Sequence, residues 1–329
     1  MAFDLHSCKL CPRCCDSDRG AGVVGACGET GRVRLARAAL HMWEEPPISG
    51  DAGSGTVFFS GCPLKCVYCQ NREISLGKVG LEVSVERLAQ IFLEQQARGA
   101  LNINLVTPTH FVPQIVQALD LARSGRLLDP DNLSADFAGQ FQPNVLQLPI
   151  VYNTSGYESP EVIAELKGYV DVFLTDFKYA STELAWKYSA ARDYPQVASD
   201  ALDAMYDVAG PYTLGKGIDG EDEVLQHGVI VRHLMLPGQL ADSKHVIDLL
   251  LAKPYLPDIC VSLMSQYTPL AGIEMKHPEL GRTVSNWEYD ELIDYALDHG
   301  IENSFMQEGG AAEESFIPSF DFEGVLKSS

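Results

Sequence analysis

The amino-acid sequence predicts an α/β fold, because strand-like and helix-like segments alternate from residue 56 onward. The strand-like segments are apolar throughout rather than alternately apolar and polar, as expected of parallel strands covered on both faces. Polar side chains follow the ends of several of these strands, where the active sites of barrel enzymes lie. Six β-then-α units in series could form a barrel or a doubly wound sheet, and the polar strand ends favour the barrel.

The strands and helices of this fold can be placed on the sequence in order. Apolar runs predict six strands, at residues 56–60, 101–107, 148–153, 170–175, 229–236 and 259–264. Capping residues and prolines predict helices that begin near Ser84, Pro113, Ser159, Asp242 and Ser285. Glu288 follows Ser285 at the spacing of a capping box, which strengthens the last of these predictions.

Composition divides the chain into four parts. Residues 1–31 are rich in cysteine, glycine and arginine and predict a small metal-organised cap. Residues 32–55 contain proline and glycine loop signals and are interpreted as a connector to the barrel at 56–300. Residues 301–329 form an acidic tail that we expect to be solvated. Within the barrel, residues 123–147 and 208–228 interrupt the pattern and are predicted to be surface insertions.

Charge and hydropathy exclude several classes of partner. The chain has 24 Lys and Arg residues against 45 Asp and Glu residues, a net charge of −21, which argues against nucleic-acid binding because such binding depends on neutralising phosphates. No stretch approaches the roughly 20 apolar residues of a membrane span. The first residues lack the charged-then-apolar layout of a signal peptide, so we expect a cytoplasmic protein with no membrane partner.

Three cysteines directly after the first predicted strand are the most informative feature of the sequence. Cys62, Cys66 and Cys69 have the spacing C-x3-C-x2-C. Three thiolates can hold three irons of a [4Fe–4S] cube, which normally takes four cysteines, so one iron would remain open to a small molecule. The alternatives are three unrelated buried thiols or part of a zinc site, but the neighbouring sequence offers no His or Asp to complete one.

A second set of cysteines lies in the cap. Cys8, Cys11, Cys15 and Cys27 provide four thiols in a spacing that suits either zinc or an iron–sulfur cluster, with Cys14 left spare. A redox-sensitive loop without metal is the alternative. The spacing does not separate zinc from a cluster.

The segment 58–71 around the three cysteines resembles the signature of the radical S-adenosylmethionine (SAM) superfamily. The resemblance is strongest to its PflX-like branch, relatives of the pyruvate formate-lyase activating enzyme. It extends over nearly the whole chain, through the segments 41–46, 106–110, 152–157, 176–179, 232–238 and 262–269.

The resemblance implies a partial (β/α)6 barrel and an oxidoreductase activity. In this superfamily SAM chelates the open iron of the cluster, and an electron cleaves it to methionine and a 5′-deoxyadenosyl radical. An electron donor such as flavodoxin or ferredoxin is then expected as a partner, and a glycyl radical enzyme is a candidate partner.

The resemblance also implies roles for residues at the strand ends. Tyr68 occupies an aromatic position next to the third cysteine and is expected near the adenine of SAM. Asp176 and Lys178 match an Asp-x-Lys pair of the activating enzymes, in which the lysine approaches the SAM carboxylate. A local ion pair is the alternative for this pair. Arg232 could contact the ribose or the carboxylate of SAM, or form a salt bridge at the edge of the core.

Several positions depart from the patterns of the family. Thr107, Thr109 and His110 stand where most relatives have a Gly-Gly-Glu-Pro run that receives the methionine amino group, and helix capping is the alternative role of His110. Asn153 and Ser155 lie in a segment that resembles the activating enzymes' Asp-Thr-Asn-Gly, whose acid helps to bind a cation. With Asn153 in its place, such a cation site is weakened or absent.

The sequence supports three hypotheses. The first is a radical SAM enzyme that activates a glycyl radical enzyme. The second keeps this chemistry but modifies a small molecule, a peptide or RNA, because the histidine that activating enzymes have after the sixth strand is replaced by Gln266 and Tyr267. The third is a non-catalytic assembly module that docks a partner through its thiol-rich cap.

Overall fold

The computed structural model describes residues 3–125, 145–217, 220, 223–306 and 318–326. The strands are β1 Val33–His41, β2 Ser54–Phe59, β3 Leu81–Val83, β4 Ile103–Val106, β5 Ile150–Thr154, β6 Val172–Asp176, β7 Thr213–Lys216, β8 Glu223–Leu234, β9 Cys260–Met264 and β10 Ser304–Met306. The helices are α1 Pro46–Ser49, α2 Arg72–Ser75, α3 Val85–Ala97, α4 Val112–Arg123, α5 Pro160–Ala164, α6 Thr182–Ser189, α7 Tyr194–Ala209, α8 Leu240–Leu251 and α9 Asn286–Asp298.

The order of the parallel strands decides between the two predicted architectures. Strands β2, β4, β5, β6, β8 and β9 are neighbours in the sheet in the order in which they occur along the chain. A doubly wound sheet would reverse direction part-way across, so the winding is that of a barrel. The sheet path ends at β10 on one side and at β3 on the other, which makes the barrel partial. All six predicted strands are confirmed, and the predicted α/β barrel class with them.

Helices α3 and α9 begin at the capping residues that predict them, whereas α8 begins at Leu240, two residues before the predicted Asp242. The Ser84 side chain accepts a hydrogen bond from the Arg87 backbone N–H at the start of α3. Ser285 and Glu288 form the reciprocal bonds of a capping box at the start of α9. Helices α3 and α4 pack against each other, as do α8 and α9, and their apolar faces cover the sheet.

The segment between the cap and the barrel is more ordered than a connector. Strand β1 pairs antiparallel with β2, so it returns the chain to the amino-terminal ends of the parallel strands. There Ile48 of α1 is fully buried among Val151, Leu174 and Ile230, and the Asn102 side-chain amide donates to its carbonyl at 2.6 Å. We call residues 44–49 the plug, because they close this end of the barrel.

Residues near the C-terminus pair with strands at the two ends of the sheet. Strand β10 pairs with β9, and residues 318–326 lie along β1. The Phe322 N–H donates to the Ala36 carbonyl at 3.1 Å, and the Ala38 N–H donates to the Glu323 carbonyl at 2.8 Å. Backbone pairing therefore holds these residues on the barrel, although Ser319, Asp321, Glu323 and Leu326 remain exposed to solvent. Residues 307–317 and 327–329 of the predicted acidic tail lie outside the described residues.

The two predicted insertions differ in what the structure describes. Residues 126–144, the greater part of the first, lie outside the described residues. In the second, β7 pairs antiparallel with the first half of β8, so this insertion extends a barrel strand into a hairpin. Nowhere in the described ranges is a helix both long enough and apolar enough to cross a bilayer.

Candidate active site at the carboxyl ends of the strands

The loop that follows β2 brings the three cysteines of the C-x3-C-x2-C motif to the mouth of the barrel. Cys62 and Cys66 are buried and Cys69 is half-buried. All three line one cavity of about 240 Å³. The loop turns into the cavity at Gly61, which has a φ of +83°, and a Cβ there would lie 2.5 Å from the Glu29 side chain. Only glycine fits this position.

The three thiols fit the ligand set of an iron–sulfur cube with one iron left open. Burial raises the pKa of Cys62 to about 12 and that of Cys69 to about 11, and the nearby Cys66 adds to both shifts. Metal binding would therefore release their protons, because the thiolate is the ligand. Within the described residues, no three His, Cys, Asp or Glu side chains are close enough to share one metal ion. The thiolates of a cube bind different irons, so they need not converge in this way.

Two positively charged side chains and one carboxylate line the same cavity as the cysteines. Asp176 is the last residue of β6, and Lys178 lies two positions after it. Arg232 comes from the neighbouring strand β8. The Arg232 Nε donates to Asp176 Oδ1 at 3.0 Å, and the Lys178 ammonium contacts Asp176 Oδ2. Parallel register places Asp176 opposite Arg232, so the sheet itself fixes this pair.

The charges of this group reinforce one another. Burial alone would raise the pKa of Asp176, but the Lys178 ammonium and the Arg232 guanidinium hold it below its usual value. Burial would lower the pKa of Lys178, and the Asp176 carboxylate raises it instead. Asp176 is therefore ionised and Lys178 protonated at neutral pH.

Three further residues named from the sequence line the same cavity: Thr107, Asn153 and Ser155. The Asn153 side-chain oxygen accepts from Arg232 Nη2 at 2.7 Å. Thr107 has a φ of +59° and its N–H donates to the Asn153 carbonyl at 2.9 Å. The Ser155 carbonyl accepts from the Tyr194 hydroxyl at 2.8 Å.

Thr109 and His110, in contrast, do not line the cavity. The Thr109 hydroxyl donates to the buried Glu158 carboxylate at 2.6 Å. His110 Nε2 lies 2.6 Å from the Ser60 carbonyl, in the loop that leads to the cysteines. Burial lowers the pKa of His110 to about 3, so the ring is neutral. Helix α4 begins without a side-chain cap, so these two residues fasten the loops beneath the cavity rather than cap the helix.

Tyr68 lies in the wall of the cavity, two residues after Cys66. Its ring is buried and meets the rings of Tyr179, Tyr188 and Tyr267 edge-on, at centroid distances of 6.4, 6.1 and 6.2 Å. Edge-on contacts from three rings fix its orientation.

The cap cysteines form a separate group against the barrel. Cys8, Cys11 and Cys27 are buried, Cys15 is half-buried and Cys14 is exposed. Between them lies Arg19, which is 1 % exposed and donates to Cys8 Sγ at 3.6 Å and to the Thr30 carbonyl at 2.7 Å. Burial raises the pKa of Cys11 to about 12.

A different arginine joins the cap to the cysteine loop. Arg13 donates to the Pro63 carbonyl at 2.9 Å and to the carbonyls of Ser189 and Ala190 at 2.9 and 2.6 Å. Its guanidinium also lies 5.1 Å from the centre of the Tyr157 ring.

Glu44 is a site residue to which no role is assigned in the sequence analysis. It belongs to the plug, yet its carboxylate accepts hydrogen bonds from Asn104 at 3.1 Å, Asn153 at 3.3 Å and Arg232 at 3.3 Å. It does not line the cavity, so it supports Arg232 and Asn153 from below. The one signal was its position in the segment 41–46, which shares the resemblance but has no chemistry of its own.

A comparison with protein families identifies the chain. A family model described as the Radical SAM superfamily matches residues 56–227, more than half of the 329 residues. The chain belongs to the radical SAM superfamily. The match begins at β2 and includes the three cysteines, Asp176 and Lys178, so membership implies a [4Fe–4S] cluster, SAM and an enzymatic function.

Two similar proteins give more distant matches. An uncharacterized protein of Methanocaldococcus jannaschii, MJ0674, is 25% identical over 272 residues, which cover 80% of this chain and 67% of that one. A domain of a pyruvate-formate lyase-activating enzyme from Bacteroides vulgatus matches in structure with a TM-score of 0.37 and 11% identity, over 60% of this chain and 93% of that one. The second likeness is too distant to bear on function.

Proposed function

We propose that this radical SAM protein holds a [4Fe–4S] cluster on Cys62, Cys66 and Cys69 and cleaves SAM reductively. The observation that supports it most directly is that the three thiols line the same cavity as Lys178, Asp176 and Arg232. When bound, such a cluster supplies the electron that divides SAM into methionine and a 5′-deoxyadenosyl radical. Apolar side chains, among them Phe59 and Val106, form part of the cavity's lining beside its charged and polar groups.

Lys178 is the residue that we assign to the carboxylate of SAM. Its ammonium has three N–H donors, and its contact with Asp176 uses one of them. The remaining donors can face the cavity, so the ion pair with Asp176 and a role in binding are compatible. Asp176 holds the lysine in place and keeps it charged.

Arg232 supplies the positive charge that a cation provides in activating enzymes. Its guanidinium binds the Asn153 oxygen and the Asp176 carboxylate together, at 2.7 and 3.0 Å. The Asn153 side-chain oxygen thus already accepts a hydrogen bond from the Arg232 guanidinium and is not a vacant ligand for a cation. SAM binding in this protein therefore does not need a bound metal cation at Asn153.

The hydrogen donor that we propose is a glycyl radical enzyme, with the chain as its activating oxidoreductase. Its support is the resemblance of the Asp176-x-Lys178 pair to the activating enzymes. One observation favours the second hypothesis: Asn153, Gln266 and Tyr267, which depart from the activating enzymes, all line the cavity. A small molecule or a peptide is therefore the alternative substrate.

The remaining partners follow from this chemistry. We propose flavodoxin or ferredoxin as the electron donor and the cytoplasm as the location. A second metal is proposed on Cys8, Cys11, Cys15 and Cys27, of which three are buried in the cap. The spacing suits zinc or an iron–sulfur cluster, and the cluster is favoured because no three of the described metal-ligating side chains converge on one ion.

Anaerobic reconstitution tests the proposal. The protein is loaded with iron and sulfide, reduced with dithionite and given SAM, and the expected product is 5′-deoxyadenosine. A Cys66→Ala variant is the control, and product no higher than that control contradicts the proposal. Incubation with a candidate glycyl radical enzyme, followed by electron paramagnetic resonance (EPR), then distinguishes the two substrate hypotheses. A glycyl radical signal supports activation, and its absence supports the alternative.

A further inference from the structure

The last residue of α6 makes a hydrogen bond to a cysteine of the radical SAM motif. The Ser189 hydroxyl donates to Cys66 Sγ at 3.1 Å. Ser189 is 3 % exposed and Cys66 is 8 % exposed, so no solvent layer screens this bond. The two residues are separated by 123 positions in the sequence, and the C-x3-C-x2-C motif therefore gives no hint of the contact.

Three backbone contacts hold Ser189 in this position. The Val67 N–H donates to the Tyr188 carbonyl at 2.8 Å, which joins the cysteine loop to the end of α6. Arg13 donates to the Ser189 carbonyl at 2.9 Å and to the Pro63 carbonyl at 2.9 Å. The distance between the serine and the cysteine is thus fixed from both sides of the bond.

Ser189 does not touch the cavity in which SAM would lie. Cys66 and Tyr68 line that cavity, whereas Ser189 and Tyr179 are not among its lining residues. Any influence of the serine on the chemistry must therefore pass through the Cys66 sulfur.

We propose that Ser189 is a positioning residue that raises the reduction potential of the cluster through its hydrogen bond to Cys66. Hydrogen bonds to the sulfurs are among the factors that set cluster potentials. Reduction adds negative charge that spreads onto the thiolates, so an O–H donor stabilises the reduced form more than the oxidised form. This inference rests on the proposed function, since it requires a cluster on Cys66.

Two tyrosines extend the hydrogen bond into a chain. The Tyr179 hydroxyl lies 2.8 Å from the Ser189 hydroxyl and 2.8 Å from the Tyr68 hydroxyl. Each hydroxyl has one hydrogen and a thiolate can only accept. The Ser189 hydrogen therefore points to a thiolate at Cys66, while the Tyr179 hydroxyl donates to Tyr68 in this structure. A turn of the Tyr179 hydrogen toward Ser189 would add polarisation to the bond at the sulfur.

The test is an EPR-monitored redox titration of the reconstituted protein without SAM. Ser189→Ala should shift the midpoint potential to a more negative value, by about tenfold in the reduction equilibrium, which is ~59 mV for a one-electron couple. Ser189→Thr keeps a hydroxyl and should retain the wild-type potential. Ser181→Ala is the matched control, since it removes a hydroxyl at the other end of the same helix. It should leave the potential unchanged.

Each outcome decides the inference. An unchanged potential in Ser189→Ala with a full iron content overturns it, and so does an equal shift in Ser181→Ala. If Ser189→Ala assembles no cluster, Ser189→Val is compared with Ser189→Thr, which has the same shape and keeps the hydroxyl. A more negative potential in Ser189→Val supports the inference, and equal potentials in the two variants overturn it. A wild-type protein that forms a cluster and 5′-deoxyadenosine while Ser189→Ala shows no shift overturns this inference alone. A wild-type protein that assembles no cluster overturns the proposed function as well.

Discussion

The Glu44 carboxylate accepts a hydrogen bond from the Arg232 guanidinium inside the barrel, with Oε2 and Nη1 3.3 Å apart. The two residues are 188 positions apart in sequence and come from opposite ends of the site. The plug closes the amino-terminal end of the barrel, and Arg232 faces the cavity at the other end. The contact therefore links the closure of the barrel to the geometry of the binding site.

Removing this carboxylate should damage both stability and SAM binding. Glu44→Ala leaves Arg232 without one of its buried acceptors, and breaking a buried ion pair costs about 3–5 kcal/mol of unfolding free energy. Glu44→Gln keeps an acceptor oxygen and should recover part of the loss. Denaturant unfolding and calorimetric SAM titration measure the two effects. The control is Glu82→Gln, which affects only an exposed pair with Arg32, and an equal loss there would contradict the prediction.

Lys178→Ala should weaken SAM binding more than it weakens the fold. A hydrogen bond between charged groups contributes about 1.5–3 kcal/mol, so the dissociation constant should rise roughly 10- to 100-fold. Lys178→Arg should not restore it fully, because a guanidinium has a different donor geometry. The matched control is Lys187→Ala, which loses a half-exposed pair with Glu279 and a contact with the Tyr188 ring, both outside the binding cavity. Equal dissociation constants for Lys178→Ala and the wild type would refute the assignment.

SAM binding should be insensitive to the monovalent cation. Arg232 already occupies the Asn153 oxygen and the Asp176 carboxylate with its own donors. Dissociation constants measured in sodium, potassium and choline salts at one ionic strength should therefore agree. A clear preference for potassium or sodium would show that a cation binds beside Asn153 after all.

Thermal stability should fall as the pH rises toward neutrality because of Glu158. Its carboxyl is buried among the hydroxyls of Thr109, Thr154 and Tyr152, and burial raises its pKa from 4.5 to about 7. Below pH 4.5 the proton is bound in both states, so this stabilisation is complete there. It is lost as the pH rises through about 7, since between these values only the folded state keeps the proton.

The expected loss is of the order of 3 kcal/mol across this interval. Melting temperatures measured at one scan rate from pH 5 to pH 8, roughly the range in which most proteins are most stable, should show this loss. Glu158→Gln should flatten the dependence of the melting temperature on pH. A variant with the same slope as the wild type would assign the dependence to other groups.

Arg13→Ala should loosen the cap from the cysteine loop without removing any cysteine. The side chain holds the Pro63, Ser189 and Ala190 carbonyls, and the variant leaves all three without this donor. Iron should then be lost faster to a chelator under anaerobic conditions. Arg32→Ala, on an exposed pair, is the comparison and should release iron at the wild-type rate.

The parallel strands were predictable because each is a local apolar run, and the cysteine motif because its spacing is local. The plug was not, since Ile48 is buried by Val151, Leu174 and Ile230, which lie more than 100 positions away. Its proline pair suggested only a loop. Glu44 and Ser189 were missed for the same reason: each acts through a partner on a distant strand or loop.

The segment 107–110 shows a second reason why part of the site could not be predicted from the sequence. The sequence placed Thr107, Thr109 and His110 together at a strand end, and the structure separates them. The positive φ of Thr107 turns the backbone, so Thr107 faces the cavity while the next residues enter the helical turn beneath it. No local pattern in the sequence indicated this turn.

The pairing of residues 322 and 323 with β1 has a consequence for folding during synthesis on the ribosome. Ala38 and Glu323 are bonded, yet 285 residues separate them. At ~5–20 residues per second, synthesis of that stretch takes about 15–60 s. Throughout this time the backbone of Ala36 and Ala38 has no partner on that edge, and a bare edge strand invites pairing with another chain. Until residues 322 and 323 have been synthesised, the backbone of Ala36 and Ala38 therefore offers an edge on which another chain could pair.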